Sequence, residues 1–354
     1  MPRVRSETKH YQAEVQLREW INTLTPGEVL PVISELTVRF GASHGTIIRA
    51  LTALADEGLI VRPLGKKRYL IAERFARISA RICLLRPDYP SRELYSMERS
   101  IYDAGQKRNW TFTPHCFRSI GELDFSRIMA KADALVFIPP AESISREMIR
   151  GLLKPTRPVV VLLQHLQHPR INNVCIDDFR IGELAAKTLY DHGHRRILFL
   201  KTEPDETTMQ ERYRGFCSMA EQLGLPTGND LYLDTHLAAF GDSIDATYAA
   251  LTARLDSGRP DFTAIFAPSF SAVLASYRAL REHHLSVPED IAVLAYSGES
   301  NLSPYLTPPP TSLEINTDEF GEYTAQLLEN ALSGNREKAQ QLTLTPKLVM
   351  RSSL

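Results

Sequence analysis

The chain has 354 residues, 43% hydrophobic and 23% charged, with a formal net charge of −1. That length supports two or three buried cores, and the composition is that of a globular protein, which excludes a disordered or collagen-like chain. The near-zero charge hides an asymmetry: residues 1–78 carry 12 Lys and Arg against 8 Asp and Glu, a net +4, and the rest carry 29 against 34, a net −5, which favours nucleic acid at one end only.

Residues 1–10 contain no apolar segment of the signal-peptide kind, and no run of about 18 apolar residues occurs, so a cytoplasmic protein with no membrane partner is expected. Over 11–24, Val15, Leu17, Trp20, Ile21 and Leu24 recur near helical spacing, closed by Pro26-Gly27. A second short helix is expected from Leu30-Pro31 to Phe40, then a tight turn at Gly41-Ala42. The stretch 43–58, SHGTIIRALTALADEG, reads as a third helix. Ile47, Ala50, Leu51, Leu54 and Gly58 share one side, with Gly45, Arg49, Thr52 and Asp56 opposite. Ser43 stands where an N-cap belongs and Gly58 where a helix stops. Helix, short Gly-containing turn, helix is the helix-turn-helix arrangement.

Residues 58–61 and 69–71 suit two short strands, joined by a turn that carries Arg62, Lys66, Lys67 and Arg68. Such a wing beside a helix with small polar outer residues suits double-stranded DNA, because cations neutralise phosphates while short side chains let the helix enter the major groove. The DNA-binding candidates are Ser43, His44, Gly45, Thr46, Arg49, Lys66, Lys67 and Arg68. The alternative is a solvated helical hairpin with a charged turn.

Residues 73–80 read as a linker. Beyond it, apolar runs at 82–85, 134–138, 159–163, 197–200, 264–267 and 291–295 alternate with amphipathic helices at 94–108, 181–192, 209–223 and 272–283. Buried runs separated by helices mean parallel sheet, and such sheets bind ligands beyond the carboxyl ends of their strands. Asp88, Tyr89 and Glu142 stand at such ends, as pocket residues or as plain loop. Cys83, Cys116, Cys175 and Cys217 form no CxxC pair and are expected as free, mostly buried thiols. His165 with His168 and His192 with His194 lack the further ligands of a metal site, and no GxGxxG, Walker or GxSxG motif occurs. Neither metal nor cofactor is expected.

Two resemblances organise these readings. Residues 10–72 resemble the winged helix-turn-helix of the GntR family, with Leu-Arg in the first helix, then Pro-Gly, Leu-Pro, Glu-Leu, Phe-Gly, Ser-x-x-Thr, Ala-Leu and Gly-Leu-Ile in register. The departures are Val32, Ile33 and Ser34 after Leu-Pro, His44 after Ser43, and Ile48 in place of a common Arg; Ile48 is left to contact a thymine methyl or to pack. Residues 81–354 resemble the LacI/GalR effector domain in Asp177-Asp178-Phe179-Arg180-Ile181-Gly182, HGHRRILFL, TMQERYRGF, VPEDIAVLAYSGESNLSPYLTPPPTSL and LTPKLVMRSSL.

The second resemblance implies two Rossmann-like subdomains with a ligand cleft between them, as in periplasmic sugar-binding proteins, and crossovers near 175, 298 and 315. Tyr305 and Pro308-Pro309-Pro310 read as part of a rigid crossover. Arg212 matches an arginine that points into the cleft, or else closes an interdomain ion pair. The acids usual after two strands are replaced by Pro268-Ser269-Phe270 and by Tyr296-Ser297-Gly298, leaving Ser269, Phe270, Ser297 and Glu299 as effector candidates beside Asp88, Tyr89, Glu142 and Arg212. The expected architecture is therefore α/β: a winged helix-turn-helix and a two-subdomain periplasmic-binding-protein-like body with parallel sheets. The resemblances imply a homodimeric, ligand-responsive repressor that binds operator DNA and senses a sugar. The rivals are a small-molecule enzyme on the same body, or a solute-binding protein without regulation.

Overall fold

The computed structural model describes residues 13–354 except 14, 15, 19, 22, 57, 58, 64, 65, 67, 73–79, 89, 90, 141–143, 205, 206, 239, 240, 298–301 and 334–337. The chain divides into two compact units, Met1–Ser79 and Ala80–Leu354. Most of the expected linker, residues 73–79, lies outside the described residues, as do Gly58 and Lys67.

In the front unit, Ala13, Gln16–Arg18, Trp20 and Ile21 are helical. They are followed by α1 (Ile33–Phe40) and α2 (His44–Asp56). Helix α1 starts later than the sequence suggests, because Val32, next to Pro31, is extended (φ −67°, ψ 154°). Gly41 ends it at φ 59°, a left-handed conformation that costs glycine little. Leu17, Ile21, Leu36, Ile47, Ala50, Leu51 and Leu54 bury the apolar sides of the helices together with Ile60 and Ile71 of the wing. The wing strands β1 (Ile60–Val61) and β2 (Leu70–Ile71) pair antiparallel, Ile60 opposite Ile71. Residues 27–30 pair along β2, with Gly27 N donating to Ile71 O and Leu30 N to Tyr69 O.

The second unit holds two six-stranded sheets. The first uses β3 (Arg81–Pro87), β4 (Thr111–Phe117), β5 (Ala134–Phe137), β6 (Val159–Leu162), β7 (Asn172–Ile176) and β13 (Gln341–Leu344), in the order β13-β7-β6-β5-β3-β4, all parallel. The second uses β8 (Ile197–Lys201), β9 (Tyr232–Asp234), β10 (Ala264–Ala267), β11 (Ala292–Ser297), β12 (Thr311–Glu314) and β14 (Lys347–Val349), in the order β14-β12-β11-β10-β8-β9. Only β14 is antiparallel to its neighbour. Central strands β5, β6, β8 and β10 are buried at every position, which is why they read as unbroken apolar runs. Edge strand β4, TFTPHCF, is mostly exposed and admits Pro114 because one side lacks a ladder partner.

The chain passes between lobes three times: from β7 of the first sheet at Asp177, from β12 of the second at Ile315-Asn316, and between β13 and β14. The expected crossing near 298 is corrected, since β11 and β12 pair in one sheet. Tyr305 and Pro308–Pro310 lie in the loop joining them, with Pro308 O accepting from Tyr277 Oη at 3.0 Å.

Helices α3 (Arg92–Gln106) and α10 (Thr317–Leu332) pack together on the first lobe, which also carries α4 (Phe125–Ile128) and α5 (Arg146–Leu153). On the second, α6 (Asp178–Asp191) packs against α7 (Thr207–Leu223), and α8 (Ser243–Asp256) against α9 (Phe270–Glu282). The α6–α7 crossing is unusually close: a Cβ on Gly182 would lie 1.9 Å from Arg212 O, and one on Gly215 1.9 Å from Phe179 O. All four cysteines are free; Cys83 and Cys175 are buried, Cys217 is half-buried, and Cys116 is exposed because it sits on the β4 edge.

Candidate functional site

A cavity of about 960 Å³ opens in the second unit between its two lobes. Its walls come from the carboxyl ends of strands in both sheets, among them Ser91 after β3, Gln164 after β6, Asp178 after β7, Ser269 after β10 and Tyr296 within β11. A parallel sheet places ligands at these ends because its loops and helix N-termini converge there.

The polar floor is one connected chain of groups. Arg212 Nε donates to Asp178 Oδ1 and its Nη1 to Pro268 O, both at 2.7 Å. The guanidinium carbon lies 4.1 Å from the centre of the Tyr296 ring, and Tyr296 Oη donates to Glu93 Oε1 at 2.7 Å. Glu93 belongs to the first lobe and Tyr296 to the second, so this hydrogen bond spans the cleft. Burial pushes the Asp178 carboxyl up to about 6, against the opposing pull of Arg212. Burial works against the Arg212 charge, but Asp178, Tyr296 and Glu93 hold it well above the usual arginine value. Burial likewise raises Tyr296 well above a phenol's ordinary range.

A guanidinium has five N–H donors, and two of those of Arg212 are bonded to protein. The other three have no hydrogen-bond partner among the described residues, although Arg212 is only 7% exposed and borders the cavity. Arg212 Nη2 is not sealed off but reaches the cavity, which places these donors to meet acceptor oxygens of a ligand. The ion pair with Asp178 stays within the second lobe, between α7 and α6, and is not interdomain.

Three expected effector residues meet in this cavity: Arg212, Ser269 and Phe270. Ser269 also caps α9, its Oγ accepting from Ala272 N at 3.2 Å. Asp88 is a correction: its Oδ2 accepts from Arg118 Nε at 2.8 Å, and Asp88 does not border the cavity whereas Arg118 does. Tyr89, Glu142 and Glu299 lie outside the described residues, and Ser297 is described only as the last residue of β11. Asp178, Glu93 and Tyr296 were missed. Asp178 stood in the quoted Asp177-Asp178 pair, of which Asp177 caps α6 through Arg180 N; Tyr296 ends an apolar run and looks like core; Glu93 looks like any acid in a first helical turn. The histidines have local partners: His165 Nδ1 lies 3.1 Å from Cys175 Sγ, and His194 Nδ1 2.9 Å from Thr263 Oγ1.

The front unit presents a second candidate surface. Ser43 Oγ accepts from Thr46 N at 3.2 Å and lies 2.8 Å from Thr46 Oγ1. Thr46, expected among the DNA-binding residues, is only 8% exposed, and its hydroxyl is engaged with Ser43 at the helix start. Ser43, His44, Gly45 and Arg49 are exposed, with Arg49 Nε donating to Gly45 O at 3.3 Å. Ile48 is 39% exposed and outside the buried cluster formed by Ile47, Ala50, Leu51 and Leu54, which decides against packing. Lys66 and Arg68 are exposed on the wing, and neither they nor Arg49 join an ion pair among the described residues. Arg62 is held instead, donating to Lys66 O at 3.0 Å and lying over the Tyr69 ring.

Residues 10–66 match the gntR family of bacterial regulatory proteins, and residues 186–354 match the periplasmic binding protein-like domain. The chain is 32% identical over 185 residues to the HTH-type transcriptional regulator CelR of Thermobifida fusca, covering 52% of each chain. It is 32% identical over 174 residues to the ribose operon repressor of Escherichia coli K12 (49% of this chain, 50% of that one). With the transcriptional repressor PurR of Pasteurella multocida it shares 28% over 176 residues (50% and 51%). The chain thus spans about half the length of the curated relatives it matches. Among solved structures, a CelR–cellobiose complex aligns with TM-score 0.65 at 22% identity, over 92% of this chain and all of that one. A LacI family transcriptional regulator from Enterococcus faecium with bound ribose aligns with TM-score 0.67 at 24% identity, over 77% and 98%. These likenesses establish the two-lobed fold.

Proposed function

Because a gntR-family domain and a periplasmic binding protein-like domain stand in one chain, we propose that the protein is a ligand-responsive transcriptional repressor. The front unit binds double-stranded operator DNA, and the two-lobed unit senses a small solute, a sugar. The observation that carries the reading is the cleft floor: a buried arginine with three unanswered donors in a cavity bounded by both lobes. On the front unit, His44, Gly45, Ile48 and Arg49 form the reading side of α2, and Lys66 and Arg68 of the wing engage phosphate. The names of the relatives, all regulators and two of them repressors, support regulation over enzymatic turnover, and ribose and cellobiose in the aligned structures support a sugar. The protein works in the cytoplasm, where operators are, and as a homodimer reading two half-sites.

The test begins with selection of binding sites from random duplex DNA, followed by thermal-shift screening over sugars. Lys66→Ala with Arg68→Ala is expected to reduce the slope of log affinity against log salt by about 2. Arg212→Ala is expected to abolish the ligand response while DNA binding persists. Ligand and DNA must change each other's affinity by the same factor; a ligand that binds without altering DNA affinity refutes regulation.

A further inference from the structure

Resting on the solute-sensing reading, we infer that Tyr296 and Glu93 form an interlobe latch: the bond between them holds the lobes together with no solute oxygen in between, and so couples lobe closure to the placing of Arg212. Tyr296 Oη donates directly to Glu93 Oε1 at 2.7 Å. Both ends are mounted on rigid elements. Tyr296 lies in β11, which has β10 on one side and β12 on the other, faces Leu313 in register, and is fully buried. Glu93 stands in the first turn of α3, whose start is fixed by Ser91 Oγ accepting from Leu94 N at 3.3 Å and whose buried side carries Leu94, Met97 and Ile101. Each element is packed into its own lobe, so the lobes cannot part without breaking the bond.

A phenol donating to a carboxylate makes a charge-assisted hydrogen bond, and the low dielectric of a buried site strengthens it further. The same ring supports the ligand floor, since the Arg212 guanidinium carbon lies 4.1 Å from its centre. Anchoring the hydroxyl fixes the ring, and the ring fixes the guanidinium whose remaining donors meet the cavity. Glu93 also draws on the Arg212 charge from the opposite lobe, beside the direct pair with Asp178. Tyr296 and Glu93 are therefore positioning residues: they act on a solute through Arg212 and through closure. The cleft stays reachable with the latch shut, because Tyr95 of the first lobe and Ile244 of the second, both on the cavity, are 49% and 38% exposed.

The test uses the full chain with neither solute nor DNA added, and reads the distance between spin labels carried by an unnatural amino acid at Arg146 and Asp245, exposed residues in the first turns of α5 and α8 on opposite lobes. Wild type should give mainly the shorter distance. Tyr296→Phe, which keeps the ring under Arg212, and Glu93→Ala, made from the other lobe, should each lower the ratio of short to long distances on the order of tenfold. Glu93→Gln, whose amide oxygen can still accept, should retain most of the short distance. The double variant Tyr296→Phe with Glu93→Ala should open no further than either single one, because both remove the same bond. Distributions for Tyr296→Phe and Glu93→Ala that match wild type overturn the latch, as does opening in only one of the two or a wild type already at the longer distance. All of these readings are taken without solute, so the latch can fail while solute sensing stands; failure of every sugar in the thermal-shift screen would instead remove the sensing reading.

Discussion

Replacing Gly182 with alanine should damage the ligand floor although the residue touches no ligand. The new Cβ would lie 1.9 Å from Arg212 O and 2.5 Å from Phe216 N, where real contacts essentially never fall below 3.0 Å. Helices α6 and α7 must therefore separate by about 1.1 Å or more. Carried onto the 2.7 Å bond between Arg212 Nε and Asp178 Oδ1, that shift gives about 3.8 Å, beyond hydrogen-bonding range. Alanine's better helix propensity contributes about 1 kcal/mol in favour, while overpacking costs about 1–3 kcal/mol and loosening a buried ion pair adds to it. The net expectation is a loss of about 1–3 kcal/mol in urea denaturation of the full chain, together with weaker ligand binding by calorimetry. A variant as stable as wild type with unchanged ligand affinity would refute the claim that this crossing positions Arg212.

Gly45→Ala makes the opposite case: nothing lies within 4 Å of the added Cβ, so α2 should gain up to about 1 kcal/mol while DNA affinity falls, as gel shifts would report; unchanged DNA affinity would remove Gly45 from the contact surface. Asp178, raised to about 6 from an ordinary 3.8, holds in the folded state a proton that the unfolded chain has released between about pH 4 and 6. Its contribution to stability therefore falls as pH rises through that window, and the difference in urea midpoint between wild type and Asp178→Asn should change with pH in that direction; a flat difference contradicts the assignment. Ile48 predicts a thymine in the selected operator, where exchange of thymine for uracil should weaken wild-type binding severalfold and leave Ile48→Ala indifferent. Equal sensitivity of both proteins would place the methyl contact elsewhere.

Much of the architecture is legible locally. The side of α2 that carries Ile47, Ala50, Leu51 and Leu54 is buried as its spacing requires, because a helix turns its apolar residues inward regardless of what covers them. The same holds for β5, β6, β8 and β10, whose burial on both faces writes itself as unbroken apolar sequence. Edge strands β4 and β9 escape this logic: with little of either strand buried, no apolar pattern is demanded of them.

Pairing across the fold is decided by tertiary structure alone. Whether β11 continues in its own sheet or crosses to the other depends on which neighbour offers a free ladder, which no local pattern encodes. Thr46 and Arg49 are both plausible outward residues by type, and only the Ser43 cap shows that one of them turns in. The cleft floor is the strongest instance: Glu93 and Tyr296 stand 203 positions apart and meet because two sheets direct their carboxyl ends to one cavity. Hydrophobic periodicity determines which side of an element is buried; the acceptor that a buried donor finds is determined by how the elements are assembled.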